Sequence, residues 1–495
     1  MDGNEHRAIG DAAFGASPVN VGGASAKERF WLSFGEVMAL SGDYFAPGAG
    51  GNLAAAPVED LFSLARVPGS NGTRLHTRDE LVCALKVMSV DEGFVDWRFE
   101  PGGEFAGFRF SALASSSIVE RRVRDRYLEL AATNDEHFVA PGGVTDDCLG
   151  RPGGSAGRAY RRLHEVALEE ARRLGHGGGD QSRAMAREAA AQHFLTDAFT
   201  AGHLRTPVAA IRRYWHSRYP AFWENLQREV ASSTAWTLRE RSRPIRVLPA
   251  PFLYDSTLSA LRTRTSGYPE LSVGDFLARL FHDWDNSHGL EIEGGGVVFG
   301  DGHIDQGVTT EVALVAVRAG IDDVAAAFEL GVSGSTLTGE ALYRAVRGAT
   351  GAPEGSFLAE TMTPRPTRAN PPQNWWATDL DTLWDTPIVG TAGPTVGEAL
   401  ADMLDRDGYF IRQLDRLGQG LADPSGLLAV PILGAWLSRK GRQAYHHGFI
   451  EPLAAHPKRM ILAVVHANAP ASATPGSAGL QIDCGAQRAL HARAS

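Results

Sequence analysis

Over roughly the first 330 residues, apolar positions recur mostly every three or four residues, the interval that lines one face of an α-helix. KERFWLSFGEVMAL (27–40) follows this rhythm and runs into the break SGD. AYRRLHEVALEEARRLGHGGG (159–179) follows it more strongly and ends in a glycine run. QSRAMAREAAAQHFLTDAFTAGH (181–203) is rich in alanine and nearly free of β-branched residues, which predicts one long helix. SVGDFLARLFHDWDNSHG (272–289) opens on capping residues and closes at His-Gly, and TTEVALVAVRAGIDDVAAAFELG (309–331) is again helical. Between them GGGVVFGDGHID (294–305) reads as a short strand or hairpin. GATGAPEG (348–355) and TPRPTRANPPQNWW (363–376) read as a linker or long surface loop. Helical spacing returns at TVGEALADMLDRDGYFIRQLDRLGQGL (395–421). The expected class is therefore mainly α: a multi-helix domain over residues 1–310, a helical C-terminal region over 311–465, and a low-complexity tail over 466–495.

Composition narrows the function. The 495 residues are 43% hydrophobic, enough to bury a large core. Acidic side chains outnumber basic ones, 58 to 48, for a formal charge of −10. That balance argues against duplex nucleic acid held mainly by general electrostatics. The three cysteines, Cys83, Cys148 and Cys484, are too far apart for a CxxC pair or a disulfide framework, so a metal would be held by His, Asp and Glu. No stretch is long and apolar enough for a transmembrane segment. The opening MDGNEHRAIGDAAFG has no basic segment followed by an apolar one, which places the chain in the cytoplasm, with a trimmed leader or leaderless export as the alternatives.

The candidate chemistry lies in QHFLTDAFTAGHLRTP (192–207). Asp197 follows His193 by four residues and His203 follows Asp197 by six. On one ideal helix, with His193 at zero, Asp197 falls near ~40° and His203 near about −80°. The three share one side, and Gly202 offers a bend that brings His203 inward. Imidazole and carboxylate are the usual nitrogen and oxygen ligands of zinc.

HFLTDAFTAGH resembles the central metal motif of the zinc-dependent phospholipase C and single-strand-specific nuclease superfamily. That resemblance implies a largely helical domain, two or three Zn2+ ions and phosphoester cleavage. It covers roughly residues 1–305. Further residues fall in the family's order: His6 in EHRAIGDAA, Asp43 in ALSGDYF and His137 in TNDEHFVAP, ahead of His193, Asp197 and His203. By resemblance Asp197 bridges two ions, with His137, His193 and Asp43 on one and His6 on the other, and His203 helps hold a third. Asp43 is then a ligand or the base toward an attacking water. The chain departs from the family in two places. No tryptophan precedes His6, although the family often recruits the amino group of an N-terminal one. Where the family supplies a His and an acid four residues apart after His203, this chain has His216 followed by Pro220. His282 and Asp285 in FHDWDNSHG are the favoured replacement, with His216 as the fallback.

The expected activity is zinc-dependent phosphodiester hydrolysis on a phospholipid or small phosphoester. The alternatives are single-strand nuclease activity, an HD-type phosphohydrolase built on His282–Asp283, and a non-catalytic helical interaction protein that keeps the fold. Arg205 could contact a phosphate or lie solvated at a helix end. The oligomeric state is not written in the sequence.

Overall fold

The computed structural model describes residues 3–15, 17–21, 31–41, 137–139, 154–262, 272–351, 362, 395–397 and 431–466. These residues are mainly helical. Helix α1 (Gly3–Phe14) leads into a two-stranded antiparallel ribbon, β1 (Pro18–Asn20) against β2 (Trp31–Ser33), with Val19 opposite Leu32. Helix α2 (Phe34–Ser41) follows directly. The helix expected from residue 27 therefore starts later. Ser33 explains why: its Oγ accepts from the Glu36 N–H at 3.0 Å while Glu36 Oε2 accepts from the Ser33 N–H at 2.9 Å. This reciprocal capping box fixes the first turn and frees Trp31–Ser33 to pair as a strand.

Helices α3 (Gly154–His176) and α4 (Ser182–Asp197) pack together, and α4 is enclosed on every side. Each of its residues from Ala184 to Asp197 is buried. Alanine at 184, 186, 189, 190 and 191 keeps its girth small enough for α1, α2, α3 and α10 (Thr309–Val332) to surround it. Helix α11 (Gly339–Thr350) packs on α10 and α3, so α10 and α11 share one core with α1 to α4.

A second core is built on α6 (Val208–Arg218), α7 (Phe222–Arg241), α8 (Ala250–Arg262) and α9 (Val273–His288). Helix α9 begins at a Ser272–Asp275 capping box and stops at Gly289, close to the bounds its sequence predicts. The small ribbon β3 (Leu290–Glu291) and β4 (Val297–Val298) then returns the chain to the first core. Against α7 lie α12 (Pro431–Tyr445), a π-helical turn over His446–Ile450 and α14 (Pro457–His466), with α13 (Glu451–Ala455) packed on the turn and on α14. Among the described residues no helix is long and apolar enough to cross a membrane.

The first core encloses a polar network. His164 of α3 places Nδ1 2.6 Å from Glu188 Oε2 of α4 and Nε2 3.6 Å from Asp323 Oδ2 of α10. Arg347 Nη1 and Thr350 Oγ1 of α11 donate to the two oxygens of Asp323, at 2.6 and 2.9 Å. Gln192 Nε2 donates to Glu188 Oε1 at 2.5 Å. Four helices are thus joined by charge-assisted bonds one residue away from His193.

Candidate metal centre

Helix α4 does not continue through the motif. Past Asp197, the N–H groups of Ala198, Phe199 and Thr200 bond to the carbonyls of Leu195, Thr196 and Asp197, tightening the last turn. Thr200 is extended, and a short helix α5 (Ala201–Arg205) starts after it. His203 thus lies on a second helix, and the angles of a single ideal helix do not apply to it. Gly202 serves close packing: a Cβ there would sit 2.6 Å from the His282 carbonyl oxygen and 2.7 Å from Asn286 Oδ1 of α9. The Gly202 N–H donates to that same Oδ1 at 2.7 Å.

Residues distant in sequence meet at Asp197. His6 of α1 puts Nε2 3.2 Å from Asp197 Oδ1. His193 Nε2 lies 3.5 Å from Oδ2, and His137 Nδ1 lies 2.7 Å from Oδ2. His193 Nε2 and His137 Nδ1 are 3.2 Å apart. His137 is held there because the Val139 N–H bonds to the His203 carbonyl at 2.9 Å and the Phe138 carbonyl accepts from Ala156 at 3.2 Å. His6 and His193 are fully buried and Asp197 is 1% exposed, so the site is closed off from bulk solvent.

Hydrogen bonding on the far side of each ring fixes where the protons go. Thr196 Oγ1 donates to the carbonyls of Gln192 and His193, so at its 2.9 Å contact with His6 Nδ1 it accepts. His6 Nδ1 carries the proton, and buried Nε2 presents a lone pair that makes no hydrogen bond. His193 Nδ1 faces the Met38 carbonyl at 2.8 Å and must donate to it, so its Nε2 also presents a lone pair. Two lone pairs, on His6 and His193, therefore face the Asp197 carboxylate, with His137 Nδ1 the ring nitrogen placed to carry a proton to it, an arrangement that could hold a cation. Burial pushes the His6 and His193 pKa values down, which keeps both rings neutral. Burial alone would raise Asp197, but the electrostatic field of its surroundings outweighs that and holds it well below the usual carboxylate range.

The spacing fits the same conclusion. Ligand atoms around a tetrahedral zinc with ~2.0 Å bonds lie roughly 3.3 Å apart. The His6, His193 and Asp197 ligand atoms all lie within 4.8 Å of one another, and this buried group could hold a metal ion. Each supporting bond, Thr196 to His6 and Met38 to His193, is of the kind that orients metal-bound imidazoles.

Next to this group lies a second, more open one. Thr200 Oγ1 donates to the Asp197 carbonyl at 2.9 Å and accepts from His203 Nδ1 at 2.6 Å, leaving His203 Nε2 as a lone pair. The His203 ring meets His282 edge-on at 4.8 Å, and Phe138 packs on both. His282 Nε2 is 3.3 Å from Asp301 Oδ2 and 3.2 Å from Asn286 Nδ2, while Nδ1 faces Asp283 Oδ1 at 2.9 Å. Burial works to raise the Asp301 pKa, yet surrounding positive charge, including that of His282, depresses it strongly. Asp301 was not singled out from the sequence. Its one local signal is the Gly300-Asp301-Gly302 turn, whose Gly302 N–H bonds to Glu5 Oε1 at 2.8 Å and ties the turn to α1.

Asp285 is placed differently from its expected role beside His282. Its Oδ1 and Oδ2 accept from Arg205 Nη2 and Nε at 2.5 and 2.7 Å, a bidentate pair that uses both oxygens. Arg205 is engaged in that pair and not aimed at the site. A separation of three residues turns Asp285 by about 60° from His282 around α9, toward α5. The carboxylate beside His282 in this group is Asp301. His216 is exposed near the end of α6, which stops at Arg218 before Pro220. Asp43 lies outside the described residues, as does most of the helix expected over 395–421. The chain matches no protein-family model, no curated protein and no solved structure.

Proposed function

We propose that the protein is a metal-dependent phosphoester hydrolase whose ions are zinc, bound around Asp197. The observation that carries the reading is the pair of deprotonated nitrogens, His6 Nε2 and His193 Nε2, turned toward a split carboxylate. His6, His193, His137 and Asp197 would hold the inner ion or ions, and His203, His282 and Asp301 an outer one. Zinc so bound supplies charge neutralisation at phosphate oxygens and a water acidic enough to attack at neutral pH. The chain's own contribution is to fix the imidazole tautomers through Thr196, Met38 and Thr200 and to exclude water from the inner cluster. The approach for substrate lies on the side of His282 and Asp301, whose side chains are 17% and 34% exposed. The net charge of −10 favours a phospholipid headgroup or small phosphoester over a long polyanion.

The test is metal analysis of protein purified without chelator, joined to hydrolysis of phosphatidylcholine, single-stranded DNA, single-stranded RNA and a chromogenic phosphodiester, each with and without added zinc. His193→Ala and Asp197→Asn should lose zinc and turnover together. A second reading, a structural metal in a non-catalytic helical protein, is favoured by the depth of the inner group. It predicts retained zinc with no turnover on any of the four substrates. Protein that takes up no zinc even when zinc is supplied overturns both readings.

A further inference from the structure

A further group of side chains of metal-ligating types lies at the surface beside the fold's other core and shares no residue with the Asp197 group. His446, His447 and Glu451 bring one ligand atom each within 4.8 Å of one another. His447 Nδ1 is 2.6 Å and His446 Nδ1 3.5 Å from the same oxygen, Glu451 Oε1. The two rings stand nearly perpendicular with centroids 5.6 Å apart. All three side chains are partly open to solvent.

Consecutive residues on an α-helix point about 100° apart, and residues five apart do not share a face. Here the backbone is locally π-helical, with the Glu451 N–H bonded to the His446 carbonyl. The i→i+5 register widens the turn, so residues four and five before Glu451 flank it from either side. The wide turn is seated by Gly448. A Cβ at that position would lie 2.3 Å from Thr237 Oγ1 and 2.7 Å from the Ser233 carbonyl oxygen of α7. Only glycine lets the turn come this close, and the contact fixes where His446 and His447 stand relative to α13.

We infer that this π turn is a second metal site, taking a divalent ion of the zinc class through the imidazoles of His446 and His447 and the carboxylate of Glu451. Two imidazoles and one carboxylate select borderline transition ions over magnesium or calcium, which prefer oxygen. Water would complete the shell, because the group is open to solvent. An ion there would lock the π turn onto α13, and so stiffen the seat of the C-terminal helices on α7. The inference does not depend on the Asp197 reading, since the two groups share no residue.

Zinc stoichiometry of the full chain by equilibrium dialysis tests it. His446→Gln together with His447→Gln should remove one equivalent of micromolar-affinity zinc and leave the zinc held by the His193 group in place. Glu451→Gln should weaken the same equivalent at least tenfold. Trp236 gives a second readout, because it is 68% exposed and lines the same surface cleft as His447. Nickel should quench its fluorescence in the wild type and not in the double variant, with Trp236→Phe identifying the signal. Unchanged zinc stoichiometry in the double variant, or an equivalent that binds only at millimolar zinc, overturns the site.

Discussion

His164 lets the buried network that braces α4 be tested by pH. Burial by itself would lower the pKa of this fully enclosed imidazole. The charge of Glu188, reinforced by hydrogen bonds to Asp323 and Glu188, reverses that and raises it from 6.5 to about 9. Tyr160 stacks on the ring and Tyr343 meets it edge-on, and neither contributes a charge at neutral pH. A folded-state pKa above the unfolded one stabilises the fold fully below pH 6.5, and that stabilisation is lost as pH rises through 9. At ~1.36 kcal/mol per pKa unit the whole effect is about 3 kcal/mol, most of it spent between pH 6.5 and 9. The low-pKa histidines, His6, His193 and His203, act in the opposite sense. Their contribution is present above pH 6.5 and fades as pH falls, so it does not overlap this window. His282 is raised as well, chiefly by Asp301 and Asp283 against its burial, and must be resolved separately. The assay is a histidine-detected NMR titration from pH 5 to 10, with the His164 resonance assigned by its loss in His164→Gln. Urea midpoints are recorded over the same range. A His164 midpoint near 9 and a stability loss of about 2–3 kcal/mol from pH 6.5 to 9.5 are expected. A midpoint at or below 6.5, or stability flat across that range, would refute the reasoning.

Gly202→Ala forces a methyl group against the His282 carbonyl and Asn286 of α9, so it should cost about 1–3 kcal/mol by urea unfolding. It should also release zinc from the His203–His282 group before the His6–His193 group. Arg205→Met strands the buried Asp285 carboxylate and should destabilise by roughly 3–5 kcal/mol. Asp285→Asn should leave zinc stoichiometry unchanged, whereas Asp301→Asn should lower it; the opposite result returns the ligand role to Asp285. Free zinc at about 100 times its dissociation constant should add ~2.7 kcal/mol to stability, read as a rise in melting temperature that EDTA reverses. His193→Ala should abolish most of that rise.

Much of the helical frame was legible because its signals are local. The alternation in α3, the Ser272 and Gly289 stops of α9 and the apolar stripe of α10 each act within a few residues. The His193–Asp197 pair was legible for the same reason: a spacing of four residues sets both on one face of one helix. His6 and His137 came only from resemblance, because nothing near them in sequence says that they will meet Asp197. The start of α2 was misplaced although Ser33-Phe34-Gly35-Glu36 carries a capping box in plain view. The break after Asp197 was hidden, because AFTA reads as good helix and tertiary contacts with α9 decide its end. That Asp301 stands beside His282, where Asp285 was expected, was hidden for a similar reason. Which carboxylate meets His282 depends on where Arg205 and the 300–302 turn are carried by distant elements.

The inner cluster gathers parts of the chain that are otherwise far apart. His6 reaches Thr196 across 190 residues, and His137 reaches Asp197 across 60. An ion held among them would act as a removable clasp on the folded chain, because it binds the assembled site and is released when the chain unfolds. Loaded and stripped molecules could thus look nearly identical in shape yet differ greatly in how long they survive a protease. Metal supply would then set how much of the protein persists.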